Sequence, residues 1–152
     1  MEIEYLCDNI QYIDIVAKWI YTEFVDGIRV GIPYEKVEKS FKQRKIESIP
    51  ISIVAINKDV CVGVASLLEN DLKLRDYTPW LGGLYVSEEH RNQGIGKVLI
   101  EEIKTIAKRL GYDVLYLRTE HALEYYKKLD WQFVENLIDE FGIETSVFQK
   151  RL

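Results

Sequence analysis

The chain has 152 residues, 47% of them hydrophobic and 30% charged, the proportions of a globular protein long enough to bury one sizeable core. Its formal net charge of -5, from 20 basic and 25 acidic residues, offers no cationic surplus for a phosphate backbone, so nucleic acid is excluded as the expected partner. The opening MEIEYLCDNI lacks a basic region ahead of an apolar run and no stretch reaches membrane-span length, so the expected location is the cytoplasm with no membrane partner.

The two cysteines, Cys7 and Cys61, have neither CxxC nor metal spacing and are expected as reduced thiols, and His90 and His121 are too scattered for a zinc site. MEIEYLC alternates and predicts a short first strand. Over residues 9–24 the apolar side chains Ile13, Val16, Ala17, Ile20 and Phe24 recur at three and four, one face of a helix. Two glycines and a proline in VDGIRVGIPYEK break that period, and residues 34–45 are helical again, with Val37 and Phe41 four apart. Residues 49–57 are β-rich, NKDV is a turn, and Val60–Leu68 is the hairpin partner. ENDLKLRDYTP is a polar connection, and WLGGLYV, Trp80–Val86, reads as a buried strand.

The clearest helix follows, with an apolar stripe of Ile95, Val98, Leu99, Ile103, Ile106 and Leu110 and with Gly111 as its stop. YDVLYLRT is a strand, residues 121–129 a short helix, and WQFVENL and ETSVFQK two closing strands. No linker or repeat divides the chain, so a single domain over residues 1–152 is expected, of mixed α/β class. The strand–helix–strand unit over residues 80–119 implies a parallel pair with a right-handed crossover.

A strand, then RNQGIGK, then a helix is a phosphate cradle in physical terms. A helix N-terminus presents unpaired N–H groups and partial positive charge. Glycine lets a ligand approach bare backbone, and Arg91 and Lys97 add charge. The two familiar nucleotide motifs do not fit: Val98 follows Gly96-Lys97 where a P-loop needs Ser or Thr, and Leu99 stands where a dinucleotide fingerprint needs a third glycine.

RNQGIG resembles the Arg/Gln-x-x-Gly-x-Gly/Ala signature of the GNAT family of N-acetyltransferases, and LYV followed by SEEH has that family's spacing before the loop. TEHALEYYKKLDWQFVE resembles its second motif, and the element order agrees along nearly the whole chain. The resemblance implies a central twisted mixed sheet of about six or seven strands flanked by about four helices. It also implies acetyl-CoA as acetyl donor. Backbone groups of Leu84, Tyr85 and Val86 would pair with the pantetheine arm, and amides of Asn92, Gln93, Gly94, Ile95, Gly96 and Lys97, beside Arg91, would hold the pyrophosphate. Gly82-Gly83 would mark a bulge where the strand splays from its neighbour. Tyr126 matches the tyrosine that protonates the leaving thiolate. Two positions depart from the pattern: Thr119 stands where Asn is common, as a cofactor contact, and Asp130 where the helix exit usually has Gly.

By the same resemblance the first two helices wall an acceptor cleft, so Trp19, Glu23, Phe24 and Tyr34 are the candidate acceptor-binding residues, aromatics and an acid suited to an amine cation. Glu23, Asp26, Asp76 and Glu120 are the carboxylates expected near it. The reading is transfer of acetyl from acetyl-CoA to a primary amine of a small molecule or peptide by direct attack, with no metal. Its alternatives are a non-catalytic coenzyme A-binding sensor on the same fold and an interaction domain in which the glycines are only a helix entry. A homodimer is compatible with the sequence, but no feature demands one.

Overall fold

The computed structural model describes residues 1–152. Seven strands form one sheet: β1 (Glu2–Tyr5), β2 (Ile51–Asn57), β3 (Val60–Leu68), β4 (Trp80–Val86), β5 (Val114–Thr119), β6 (Gln132–Ile138) and β7 (Glu144–Arg151). Their spatial order is β1-β2-β3-β4-β5-β7-β6. Only β4 and β5 run parallel; every other pair is antiparallel. Four α-helices flank the sheet: α1 (Ile13–Ile20), α2 (Tyr34–Lys42), α3 (Ile95–Arg109) and α4 (Leu123–Lys128). This is the mixed α/β class expected, and no helix is long and apolar enough to cross a membrane.

Alternation along the strands divides the interior by face. On one face Ile53, Ala65, Leu81, Leu117 and Phe148 pack with Leu99, Ile103 and Ile106 of α3. On the other, Val54 and Val64 pack with Val16 and Ala17 of α1 and Val37 and Phe41 of α2. That second face has a further small core of Leu72, Trp80 and Val147, which no helix covers; the β3–β4 connection supplies Leu72 and Tyr77.

The helix after the glycines buries Ile95, Leu99, Ile100, Ile103, Ile106 and Ala107. Val98, expected in the stripe, is 42% exposed, and Ile100 takes its place at 2%. At about 100° per residue, positions 99, 100, 103, 106 and 107 share an arc that leaves 98 outside. The first long helix is also more divided than its periodicity suggests. Short 3₁₀ turns occupy Leu6–Asp8 and Ile10–Tyr12, and α1 widens after Ile20 into a π-helical turn, Tyr21–Val25, with Asp26 N–H on the Tyr21 carbonyl at 2.8 Å. Pattern alone does not distinguish these variants, because each keeps apolar residues three to five apart. The NKDV hairpin is a two-residue turn with Lys58 and Asp59 at φ 51° and 65°, the left-handed pair that matches strand twist.

Candidate active site

The β3–β4 register advances from Val64↔Tyr85 to Ser66↔Gly82, so β4 carries one extra residue and bulges. The two glycines have separate reasons. Gly83 adopts φ 55° at the bulge, whereas a Cβ on Gly82 would stand 2.7 Å from the Leu68 side chain. Beyond the bulge, β4 loses its parallel neighbour: the only β4–β5 register pair is Trp80↔Tyr116. Gly83, Leu84, Tyr85 and Val86 are therefore half-buried, not the fully buried strand that the apolar run predicts. The splay leaves an edge of unpaired backbone N–H and C=O groups, which need partners.

At the end of β4 the chain turns into α3. Arg91 ties this loop down, its Nε donating to the Val86 carbonyl at 2.9 Å and its guanidinium lying 5.2 Å from the Tyr85 ring centroid. Asn92 and Gly94 both adopt left-handed conformations, at φ 62° and 81°. Gly94 is the N-cap of α3, and no side chain caps this helix end. The first intrahelical bond runs from Val98 N–H to the Gly94 carbonyl at 3.1 Å, so the N–H groups of Ile95, Gly96 and Lys97 have no intrahelical acceptor. Gln93 and Lys97 are exposed, while Ile95 is 6% exposed, its side chain anchoring the helix in the core. The glycines again differ. Gly94 is required by its dihedral angle, whereas Gly96 is flat, open backbone whose nearest neighbours to a Cβ would be Val86 Cγ2 at 3.8 Å and the Tyr125 hydroxyl at 3.9 Å. Between α3 and α4 a groove of about 250 Å³ is lined by Lys97, Lys104, Lys128 and Lys150 together with Glu101 and Asp130, and Lys104 donates to Glu101 at 3.0 Å.

Tyr126 lies 9% exposed among the side chains of the α3 face. Its ring packs edge-on against Tyr125 (5.2 Å) and Trp131 (6.1 Å) and tilted against Phe148 (6.2 Å). Its hydroxyl makes no hydrogen bond within the protein, yet no buried side-chain oxygen lacks a partner, so that hydroxyl opens to solvent-accessible space. Burial, then the neighbouring Tyr125, pushes its pKa up to about 12, so the phenol keeps its proton. Thr119 Oγ1 accepts the Ala122 N–H at 2.9 Å and so fixes the turn into α4. Asp130 takes φ 62° at the helix exit, the conformation a glycine would adopt freely. Asp130→Gly relieves about 1–2 kcal/mol of left-handed strain but loosens the unfolded chain by about 0.4–1 kcal/mol. A rise of about 1–3 °C in midpoint is expected in a thermal melt.

On the opposite face, Trp19 of α1 packs tilted against Tyr85 of β4, their ring centroids 5.2 Å apart. Ile20 lies closest to the bulge, 3.5 Å from a Gly83 Cβ position. Phe24 packs on the α1–α2 core, and Tyr34 meets Tyr21 edge-on at 5.7 Å with its hydroxyl on Glu38 at 3.4 Å. Glu23, Asp26 and Asp76 are exposed and form no ion pair. Glu120 alone of the anticipated carboxylates joins a charged cluster, and the rest of that cluster was not anticipated. Arg118, its side chain 4% exposed, donates to Asp139 Oδ2 at 2.6 Å, to Thr145 Oγ1 at 3.2 Å and to the Asp71 carbonyl at 3.2 Å, with Glu120 at 3.7 Å. Arg29 lies 3.9 Å from Glu120 and donates to the Phe24 carbonyl. Burial alone would raise the Asp139 pKa, but Arg118 and the N–H groups of Ile143 and Phe141 outweigh it and hold the carboxyl below its usual value. The one readable sign was Arg118, a charge at an inward position of an otherwise apolar strand.

The profile of the acetyltransferase (GNAT) family matches residues 16–131. Among solved structures, an aminoglycoside 6'-N-acetyltransferase complexed with coenzyme A superposes with a TM-score of 0.74 at 20% identity, covering 99% of this chain and 97% of that one. A ribosomal-protein-alanine N-acetyltransferase from Brucella melitensis gives 0.73 at 19% identity, covering all of both chains (100% and 100%). A putative acetyltransferase from Salmonella typhimurium with its cofactor acetyl-CoA gives 0.72 at 18%, over 100% of this chain and 94% of that one. Since the family profile spans more than half of the sequence, the chain belongs to the GNAT family of acetyltransferases.

Proposed function

We propose that this protein transfers the acetyl group of acetyl-CoA to a primary amine of a small molecule or peptide by direct attack. The observation that carries the reading is the splayed β4, left without a parallel neighbour beyond Trp80, that leads into the uncapped start of α3; the unpartnered Tyr126 hydroxyl supports it. Free N–H groups of Ile95, Gly96 and Lys97 suit a pyrophosphate at a positive helix end. The groove beside them, with four lysines against two acids, suits further phosphate charge. The unpaired β4 edge from Gly83 to Val86 suits an extended amide-bearing arm, which pairs as an added strand. When bound, acetyl-CoA supplies an activated thioester whose carbonyl carbon accepts the amine.

The chain's own residues then have separable tasks. A backbone N–H past the β4 bulge polarises the acetyl carbonyl and stabilises negative charge developing on its oxygen. The Tyr126 hydroxyl donates a proton to the leaving sulfur. Trp19 and Tyr85 close the slot on the acceptor side and limit water, with Phe24, Tyr34 and Glu23 further along that wall.

Thermal unfolding with acetyl-CoA tests cofactor binding. At about one hundred times Kd a ligand adds about 2.7 kcal/mol to the native state, a rise of about 5–10 °C for a domain of this size. Gly96→Glu is the discriminating variant. Its Cβ meets only ordinary contacts at 3.8 and 3.9 Å, and the glycine is not left-handed. An acid in the first helical turn is itself favourable by about 0.3–1 kcal/mol. The variant is expected to melt no lower than the parent alone and to lose the acetyl-CoA shift. A parent protein unmoved by millimolar acetyl-CoA overturns the reading.

A further inference from the structure

Four connections converge on the sheet face opposite α3, beside the β4 bulge. They bring together Arg29 from the segment after α1, Asp71 from the β3–β4 connection, Arg118 and Glu120 from the end of β5, and Asp139 and Thr145 from the β6–β7 hairpin. Three carboxylates face two guanidinium groups, an excess of one negative charge (2 - 3 = -1). Two of the carboxylates are committed. Asp139 accepts from Arg118 and from the N–H groups of Phe141 and Ile143, both at 2.9 Å. Glu120 accepts from Thr145 Oγ1 at 2.8 Å and lies near both arginines.

Asp71 differs. Its main-chain carbonyl accepts from Arg118, but its carboxylate has no ion pair and no hydrogen bond in the protein. The residue is half-buried, and since no fully buried side-chain oxygen lacks a partner, this carboxylate keeps some exposure. Its Oδ2 lies 3.4 Å from where a Gly82 Cβ would be, directly over the backbone that leads into the bulge. A side chain at Gly82 would intrude on this space.

Resting on the transferase reading, we propose that Asp71 takes the proton from the acceptor ammonium, directly or through one water, while the Arg118 network holds it in place. The ammonium gives one proton to the Asp71 carboxylate and becomes the neutral amine. As the new C–N bond forms and the C–S bond breaks, the nitrogen sheds its second proton. Tyr126 gives its own proton to sulfur and is restored by the one shed, and Asp71 releases its proton to water. Base and acid then act from opposite faces of the sheet, Asp71 on the α1 side and Tyr126 on the α3 side.

The local electrostatics suit this role. Removal from water pushes the Asp71 pKa up to about 6; Arg118 and Arg29 pull it down, and Glu120 and Glu140 add to the rise. Such a carboxylate is ionised at neutral pH yet more basic than an exposed one, as a general base should be.

The test is Asp71→Asn in the full chain, assayed with acetyl-CoA and three primary amines: an aminoglycoside, a diamine and a peptide with a free alanine N-terminus. For an amine turned over by the parent, kcat/KM is expected to rise through an acid limb near pH 6. The variant should lose that limb and fall about 10²–10⁴-fold at neutral pH, with its acetyl-CoA melting shift intact. Removing a carboxylate whose folded pKa is raised should leave the fold at neutral pH no less stable, and a melt checks this. A variant that keeps the parent's rate or its pH limb overturns the assignment of Asp71 alone. A parent that binds acetyl-CoA and acetylates none of the amines overturns it together with the transferase reading.

Discussion

Tyr126→Phe is expected to lower kcat by about 10²–10⁴-fold while leaving the fold and the KM for acetyl-CoA nearly unchanged. The separation follows from the geometry. The ring's contacts with Tyr125, Trp131 and Phe148 are made by its carbons, and Phe retains them. The hydroxyl has no partner within the protein, so its removal orphans no buried group. Burial, followed by Tyr125, keeps the phenol protonated up to about pH 12, so a donor is available throughout the working range. Tyr125→Phe is the matched control. The Tyr125 hydroxyl lies at the open backbone of Gly96, so its loss should raise the KM for acetyl-CoA and spare kcat. Steady-state kinetics on both variants decide. Equal turnover by Tyr126→Phe and the parent would remove this phenol from the chemistry. Cofactor binding without turnover in the parent would leave a coenzyme A-binding module.

Arg118→Met should be the most destabilising single change in the cleft. Arg118 and Asp139 form an ion pair with side-chain exposures of 4% and 0%. Removing one partner of a buried pair costs about 3–5 kcal/mol, because the other charge stays buried without its counterion. At about 2–4 °C per kcal/mol the melting midpoint should fall by about 6–20 °C. The double variant Arg118→Met/Asp139→Asn should recover part of that loss, since no charge is then stranded. The acid side has a definite sign. Asp139 has a folded pKa below its unfolded value, so its stabilisation is present above the unfolded value and disappears as pH falls through the folded one. The parent should therefore lose its advantage over Arg118→Met on acidification, and a single variant as stable as the parent at neutral pH would contradict this account.

Much of the fold was legible in local pattern. Apolar spacing marked all four α-helices and all seven strands, since burial of one helical stripe or one strand face writes a period into the chain. The loop from Arg91 to Lys97 was legible for the same local reason: Gly94 meets a left-handed dihedral and Gly96 leaves open backbone at a helix start. Tyr126 entered only through the resemblance of its segment to a family motif, and its place in α4, four residues before the left-handed Asp130, is what the structure adds. The boundaries around α1 and the exposure of Val98 were not, because neighbouring helical turns satisfy nearly the same spacing.

The sequence by itself determined the mixed α/β class, through the order of its elements, and the open glycine-bearing entry of α3, a property of one short segment. Only the tertiary structure decided the charged cluster around Arg118. Asp71 stands in a connection that reads as ordinary polar loop, and Glu120 and Asp139 are two more acids among 25 acidic residues. What separates them is which carboxylates Arg118 claims and which it leaves free, a matter of its contacts with residues 47 and 21 positions away along the chain. Ion pairing and desolvation act through space at a few ångströms, and no periodicity along the chain records them.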